Sequence, residues 1–146
     1  MDKTDKSIIY TDGSALNNGS PDSGCGWAAK LIYNGKYRLK SGGCRGKTNN
    51  QMEMLAVLNA LKCITDRSLP VVLYSDSKYV IETLKGTYRV GKNVELWNEI
   101  LALYKQFADI SPIWVKGHNG NIHNEQVDGL AVEESKKWQE DRKYLS

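Results

Sequence analysis

The stretch Ile8-Ile9-Tyr10-Thr11-Asp12-Gly13-Ser14 decides the fold of this chain. Its apolar and β-branched residues, stopped by Asp-Gly, predict a buried strand followed by a turn. Such a strand ends by directing one carboxylate, that of Asp12, out of the sheet. Most Asp-Gly pairs are only turns, so Asp12 by itself is more often a turn residue than a chemical one.

Length and composition limit the class of protein. A chain of 146 residues is expected to be a single domain, 1–146, with flexible ends at about 1–6 and 140–146. Its hydrophobic content of 40% and charged content of 25% are typical of globular proteins. No apolar run approaches the roughly 20 residues that span a bilayer, and Met1–Lys6 does not resemble a secretory signal. We therefore expect a cytoplasmic protein with no membrane partner, acting as a monomer.

Charge and cysteine usage are less decisive. Twenty basic and 17 acidic residues give a net charge of +3, which permits a nucleic-acid partner without demonstrating one. Cys25, Cys44 and Cys63 are odd in number and lack a metal-type spacing. We expect reduced, partly buried thiols, with Cys25 and Cys44 able to face each other across a hairpin.

The first half of the chain reads as an antiparallel meander of three strands. After the first strand, Gly26–Tyr33 and Lys36–Gly43 alternate in polarity, and Asn34-Gly35 between them favours a tight hairpin turn. In the third strand, Tyr37 and Leu39 are predicted to face inward.

The second half alternates helices with strands, which implies parallel pairing through right-handed crossovers. A helix is predicted from Asn49 or Asn50 toward Arg67, and Val71–Ser75 is typical of a strand buried on both faces. The predicted fold is α/β: a mixed five-stranded sheet, three antiparallel strands and then parallel ones, with helices on both faces. The remaining elements are predicted at Ser77–Leu84, from Asn93 to Phe107, at Ile113–Val115 and from about Asn121 to Trp138.

Three further acidic residues lie where predicted elements begin or end. Each has an ordinary structural alternative. Glu53, in the first turn of the long helix, could form a capping box with Asn50. Asp76, after the buried strand, could be a helix N-cap. Asp128, in the first turns of the last helix, could simply interact with the helix dipole.

Taken together, the four carboxylates favour a metal site. If the strands bearing Asp12 and Asp76 are parallel neighbours, these acids lie at one edge of the sheet, where open α/β sheets bind ligands. Converging carboxylates repel one another, and a hard divalent cation such as Mg²⁺ or Mn²⁺ offsets that repulsion. Four such residues can hold two ions about 3.5–4 Å apart, an arrangement used in phosphodiester cleavage.

Five short motifs follow one another along the chain: Thr11–Ser14, Thr48–Glu53, Tyr74–Ser77, Asn93–Trp97 and Val115–Asp128. In these motifs and in their order, the chain resembles type 1 ribonuclease H from Ile8 to about Trp138. That family cuts the RNA strand of RNA–DNA hybrids with divalent metals, leaving 5′-phosphate and 3′-hydroxyl ends. The resemblance implies that Asp12 bridges two Mg²⁺ ions (Mn²⁺ being the alternative), that Glu53 and Asp76 complete the second metal site, and that Asp128 completes the first.

The same resemblance implies roles for residues around the carboxylates. His118 is expected to assist catalysis and product departure, with an ordinary pKa suited to proton transfer, although by itself it reads as a loop histidine. His123 has no counterpart in the motif and is predicted to lie on the surface. A hybrid-specific nuclease must also sense 2′-hydroxyl groups. The predicted substrate contacts are Gly13, Ser14, Asn18, Asn49, Asn50 and Gln51 for the RNA strand, Thr48 for a DNA phosphate, and Lys78.

The sequence also departs from the family. Many bacterial members carry a basic insertion where this chain has only Lys85–Lys92, Gly46 stands where an arginine contacts the DNA strand, and Val90 is nearest to a family asparagine. Fewer phosphate contacts predict looser, salt-sensitive hybrid binding, which activity unaffected by rising NaCl would contradict. The residues that could compensate are Lys78, Lys85, Arg89, Lys92 and Lys116.

Two other classes of function stay open at this level. One is a binding module that keeps the fold without cutting, which the presence of all four carboxylates disfavours. The other is a relative with different chemistry, such as DNA strand transfer or junction cleavage, which the Asn49-Asn50 pair and the histidine loop disfavour. Cleavage assays on RNA–DNA, RNA–RNA and DNA–DNA duplexes with Mg²⁺ or EDTA separate all three.

Overall fold

The computed structural model describes residues 6–117 and 120–145, with side chains described as far as Gln139. His118 and Asn119 lie outside the described residues, as do most of the N-terminal positions expected to be flexible. The order of elements is the predicted one. The elements are β1 Ser7–Ala15, β2 Gly24–Tyr33, β3 Lys36–Arg45, α1 Asn49–Lys62, β4 Val71–Ser75, α2 Lys78–Lys85, α3 Val94–Tyr104, β5 Ile110–Trp114 and α4 Ile122–Leu145.

The five strands form one mixed sheet in the order β3-β2-β1-β4-β5. β2 pairs antiparallel with β1 and with β3. β4 pairs parallel with β1 and with β5. The predicted fold class is therefore confirmed. The central position of β1 means that its residues are flanked by strands on both sides, which is why the opening apolar stretch is so hydrophobic.

One face of the sheet is covered by α1, α2 and α3. Ile9 of β1 and Leu73 of β4 point into this layer, where they meet Leu61 of α1 and Trp97 of α3, all with no exposed surface. Helix α1 is apolar on most sides because it is packed between the sheet and α3, as its sequence predicts. This layer is the main hydrophobic core.

The other face is covered by α4 alone, which lies over β1, β2 and β3. It packs unusually close to the sheet because small residues line the contact. A Cβ atom added at Gly26 would lie 2.1 Å from the Ala131 carbonyl oxygen of α4. The apolar cluster here is small, with Tyr10, Ala28, Val127 and Ala131 at its centre.

The ends of α1 differ from the prediction. The N-cap is Thr48, whose Oγ1 accepts from the Gln51 N–H at 3.1 Å while Gln51 Oε1 accepts from the Thr48 N–H at 3.0 Å. This capping box replaces the one expected between Asn50 and Glu53, and it leaves Glu53 free of a capping role. The helix ends at Lys62, earlier than expected.

The inward orientation predicted for Tyr37 and Leu39 is wrong, since they are 60% and 37% exposed. Helix α4 reaches β3 only toward its later residues, where Ser41 donates to Glu134. The first half of β3 extends beyond the helix.

The cysteines agree with their prediction. Cys25 and Cys44 are register partners on β2 and β3, and all three cysteines are free. Burial, followed by the neighbouring Cys25, raises the pKa of the Cys44 thiol. Within residues 6–117 and 120–145, no helix has the length and apolar character needed to cross a bilayer.

Candidate active site

Three carboxylates meet at the edge of the sheet where β4 ends. Oxygen atoms of Asp12, Glu53 and Asp76 all lie within 4.8 Å of one another. Thr11 is the register partner of Ser75 across the parallel β1–β4 pair, so Asp12 within β1 and Asp76 just after β4 lie at the same level. The predicted convergence of Asp12 and Asp76 is therefore confirmed, but the predicted end of the first strand at Asp12 is wrong, since β1 stays paired with β2 as far as Ala15.

Glu53 reaches this edge because α1 begins directly against β1. A Cβ atom at Gly13 would lie 2.4 Å from the Glu53 amide nitrogen and 2.4 Å from the Met52 carbonyl carbon. Glycine is therefore required at position 13 for the helix to approach this closely. The Asp12-Gly13 pair is therefore not the predicted turn: both residues lie within β1, and Gly13 makes room for the third carboxylate.

Asp128 comes from α4, on the opposite face of the sheet from α1. It lies outside the group of three mutually close carboxylates but within hydrogen-bonding reach of Asp12, and this contact raises the pKa of Asp12. Asp12, only 3% exposed, is thus approached from both faces of the sheet. All four acids named from the sequence come together.

The electrostatics of the cluster are those of excess negative charge. Burial, then the charge of Asp76, then the contact with Asp128 raise the pKa of Asp12 to about 8. Burial and the charges of Asp12 and Asp76 raise the pKa of Glu53 well above its ordinary value. Without a counter-ion, the cluster cannot carry its full charge at neutral pH.

The donor set fits a divalent cation. Every ligand atom is a carboxylate oxygen, which Mg²⁺ and Mn²⁺ prefer. Glu53 Oε1 is buried and has no hydrogen-bond partner among the described residues. A cation at the cluster would satisfy this atom and offset the repulsion that raises both pKa values.

The loop after β5 also approaches the cluster. A Cβ atom at Gly117 would lie 2.8 Å from Asp76 Oδ2, so the backbone passes directly over that carboxylate. Trp114 Nε1 donates to the Asp76 carbonyl oxygen at 3.0 Å, and Lys78 Nζ lies 5.1 Å from the centre of the Trp114 ring. Lys78 is thus at the rim of the site. The predicted role of His118, which follows Gly117, falls outside the described residues.

Several predicted substrate contacts bind one another. Asn18 Oδ1 accepts from the Asn49 N–H at 2.7 Å, and Asn49 Oδ1 accepts from the Ala15 N–H at 2.8 Å. These bonds join the loop after β1 to the start of α1. Ser14 Oγ lies 3.2 Å from Ser135 Oγ on α4, while Asn50 is exposed.

Asn93 links the start of α1 to α2 through its side chain, a contact that the sequence did not reveal. It was expected only to cap α3, yet its side chain makes no capping bond and its φ is 55°. Its Oδ1 instead accepts from Gln51 Nε2 at 3.1 Å, and its Nδ2 donates to the Tyr79 hydroxyl at 3.2 Å. The tolerance of asparagine for positive φ was the available signal.

Two departures from the family pattern that the sequence indicates are also seen in the structure. No helix interrupts the described chain between Lys85 and Val94. Gly46 has a φ of +79°, which disfavours the family's arginine at that position. The side chain of the neighbouring Arg45 is directed toward α4, because its Nε donates to the Trp138 carbonyl oxygen at 3.1 Å.

Comparisons with known proteins agree with this geometry. The family model of RNase H matches residues 4–136. Ribonuclease H of Helicobacter acinonychis is 42% identical over 138 residues, covering 89% of this chain and 93% of the relative.

Two solved structures share the fold at lower identity. The N-terminal RNase H domain of a Mycobacterium tuberculosis protein, solved as a maltose-binding protein fusion, has a TM-score of 0.81 at 22% identity, covering 93% of this chain and 97% of that one. LC11-RNase H1 in complex with an RNA/DNA hybrid has a TM-score of 0.74 at 22% identity, covering 90% and 97%. The chain therefore belongs to the ribonuclease H family, the metal-dependent endoribonucleases that hydrolyse the RNA strand of RNA–DNA hybrids.

Proposed function

We propose that Asp12, Glu53, Asp76 and Asp128 are the catalytic carboxylates of this enzyme and that they hold two Mg²⁺ ions. The observation that supports this proposal is the approach of four acids, from β1, α1, the end of β4 and α4, around the buried Asp12. Burial and the charges of the neighbouring carboxylates raise the pKa of Asp12 and of Glu53, and a divalent cation would offset the repulsion. The products are RNA ends bearing 5′-phosphate and 3′-hydroxyl groups.

Metal ions of this type, when bound, neutralise the carboxylates, lower the pKa of water and stabilise charge that develops on a phosphodiester. The residues of the chain position the carboxylates and supply the group for proton transfer. Asp12 and Glu53 lie side by side because the backbone of α1 approaches β1 closely at Gly13. Asp128 is placed beside Asp12, on the α4 side, where the attacking water is expected. His118 is assigned to proton transfer during departure of the product.

The rim of the site is assigned to substrate reading. Gly13, Ser14, Asn18, Asn49, Asn50 and Gln51 are proposed to contact the RNA strand, Thr48 a DNA phosphate, and Lys78 a further phosphate. The hydrogen bonds of Asn49 with Asn18 and with Ala15 support this assignment, because they fix short polar groups in place before the hybrid arrives. Preorganised polar groups near the metals are what 2′-hydroxyl recognition requires.

We further infer that the protein acts as a single domain, as a monomer and in the cytoplasm. The free state of its three cysteines supports a reducing compartment. Size-exclusion chromatography with light scattering tests the monomer.

The substitution Asp12→Asn tests the assignment. It should lower kcat on a labelled RNA–DNA hybrid by at least about 100- to 1,000-fold, because it removes a charge from the reacting centre. Hybrid binding should be kept or improved, since the repulsion between Asp12 and nucleic-acid phosphates is relieved. The matched control is Asp109→Asn, an exposed acid just before β5.

Two outcomes would contradict the proposal. Retained cleavage by Asp12→Asn would remove Asp12 from the site, and cleavage in EDTA equal to that in Mg²⁺ would remove the metal. Parallel assays with Mn²⁺ determine which ion is preferred. Duplexes of RNA–RNA and DNA–DNA, which should not be cut, test the substrate class.

A further inference from the structure

A second polar cluster, formed by Lys30, His123 and Gln126, lies on the α4 face of the sheet. Lys30 of β2 is only 8% exposed. Its ammonium donates to His123 Nδ1 at 3.0 Å and to Gln126 Oε1 at 2.8 Å. The same ammonium lies 4.6 Å from the centre of the Tyr37 ring. All the donor capacity of a buried lysine is thus directed at named partners.

The His123 ring, predicted to lie on the surface, is partly exposed and is also held by aromatic contacts. It stacks on Tyr10 of β1 with ring centroids 4.9 Å apart, and Tyr10 stacks on Tyr74 of β4 at 4.8 Å. The start of α4 is therefore anchored by side chains from β1 and β2, with β4 supporting the stack.

This cluster is close in the chain to the fourth carboxylate. His123 and Gln126 are three residues apart and so share one face of α4, and Asp128 follows two residues later. Asn121 Oδ1 accepts from the N–H groups of His123 and Asn124, both at 3.0 Å, which caps the helix. The cap fixes where α4 begins, and Lys30 fixes where its first turns lie on the sheet.

We propose that Lys30 is a positioning residue for the catalytic end of α4: by holding His123 and Gln126 it sets the place of Asp128 relative to Asp12, and it releases that hold when His123 becomes protonated. The proposal rests on the assignment of Asp128 to the active site made above. It adds a determinant of rate and of acid sensitivity that lies outside the carboxylate cluster.

The ionisation argument follows from the hydrogen-bond pattern. Because an ammonium offers only donors, His123 Nδ1 must accept, so the ring is neutral with its proton on Nε2. Burial and the charge of Lys30 lower the pKa of His123. Folding thus opposes protonation of His123. The contact between Lys30 and His123 is complete above the ordinary pKa of about 6.5 and is lost as pH falls through the lower pKa of the folded state.

The titratable groups that face this ring, within the described part of the chain, come from several elements. Lys30 of β2 and Tyr10 of β1 touch it directly. Tyr37 of β3 lies beyond Lys30, and Tyr74 of β4 lies beyond Tyr10. Lys30 is the cation of this set, so protonated His123 would meet a like charge.

The first test is Lys30→Met, which keeps the length of the side chain and removes the ammonium. We expect kcat at pH 8 to fall about tenfold with little change in KM, because misplacement of a catalytic group affects the chemical step rather than binding. Lys36→Met, an exposed lysine on the same hairpin, is the control and should leave kcat unchanged. A Lys30→Met enzyme with wild-type kcat would overturn the proposal.

The second test is His123→Asn, whose Oδ1 can accept from Lys30 in place of Nδ1 but cannot be protonated. Relative to wild type, this variant should lose less of its activity between pH 7.5 and 5.5. An identical pH profile in the two enzymes would overturn the acid-release part of the proposal.

The third readout needs neither metal nor turnover. The chain has two histidines, so an NMR titration of the metal-free His118→Ala protein reports on His123 alone. We expect a pKa below the ordinary value and the tautomer protonated on Nε2. A pKa at or above the ordinary value would overturn the proposal even if Lys30→Met failed to fold.

Asp128→Asn, assayed alongside, separates the two proposals. If Asp128→Asn is inactive while Lys30→Met behaves as wild type, only the positioning inference fails. If Asp128→Asn keeps its activity, the site assignment itself fails.

Discussion

The two faces of the sheet are built on different principles. On the face covered by α1, α2 and α3, the contact consists of large apolar side chains, among them Leu61, Leu73 and Trp97, with no exposed surface. On the face covered by α4, the contact relies on glycines, a serine pair and the Lys30–His123 bond. We infer that the first face contributes most of the free energy of folding and that the second face positions functional groups.

The largest expected effect on stability is on the apolar face. Leu61→Ala should lower the free energy of unfolding by about 2–5 kcal/mol, because it leaves a cavity in the main core. The kcat of the protein that remains folded should not change. Urea denaturation and assays at low temperature measure the two quantities. Lys62→Ala, at a side chain 54% exposed whose salt bridge with Glu99 is on the surface, is the control and should cost about 1 kcal/mol or less.

On the α4 face, a smaller structural change should have a larger effect on activity. Gly26→Ala places a Cβ atom 2.1 Å from the Ala131 carbonyl oxygen, so α4 must move away from the sheet. We expect a loss of about 1–3 kcal/mol in stability and a drop in kcat that exceeds the loss of folded protein.

The control on the same helix is Gly129→Ala. A Cβ atom there meets nothing within 4 Å, so the change should leave activity intact and stabilise the helix by up to about 1 kcal/mol. Equal effects of Gly26→Ala and Gly129→Ala would contradict the idea that close packing of α4 positions the site.

A third prediction concerns pH in the absence of metal. The pKa of Asp12 is raised to about 8 in the folded state, so the folded protein retains a proton that the unfolded chain releases. Stability in EDTA should therefore fall as pH rises, by at most about 2 kcal/mol per proton between pH 6.5 and 8. That corresponds to a decrease in Tm of about 4–8 °C.

The interval above pH 6.5 is chosen because His123 acts in the opposite direction below it. Saturating Mg²⁺ should abolish the decrease in Tm, and Glu53→Gln should reduce it by removing one of the interacting charges. A metal-free Tm that rose from pH 6.5 to 8 would show that the cluster tolerates its full charge without a cation.

Prediction from sequence succeeded where the signal was local. The end of β4 was readable because its apolar run stops at Asp76, whereas β1 continues past Asp12 to Ala15. The Asn34-Gly35 turn was readable because both residues tolerate the positive φ they adopt, 54° and 78°. Glu53 and Asp128 were added through their motifs, and the structure brings all four acids together.

Prediction failed where a neighbour in space decided the outcome. The helix α1 was expected to begin at Asn49 or Asn50. Thr48 is its N-cap instead, because the Gln51 side chain accepts a hydrogen bond from the Thr48 N–H. Tyr37 and Leu39 alternate like inward residues, but α4 does not extend over them. His123 looked like a surface residue because the lysine that binds it is 93 positions away.

The sequence by itself determined the order of the elements and the identity of the acids, because periodicity and short motifs are properties of neighbouring residues. Only the tertiary structure decided which groups are in contact. It set how closely α1 approaches Gly13, that the Asn93 amide binds Gln51 and Tyr79, and that Lys30 binds the start of α4. Those contacts depend on the angle and distance at which each helix crosses the sheet, which side chains far apart in the chain set jointly.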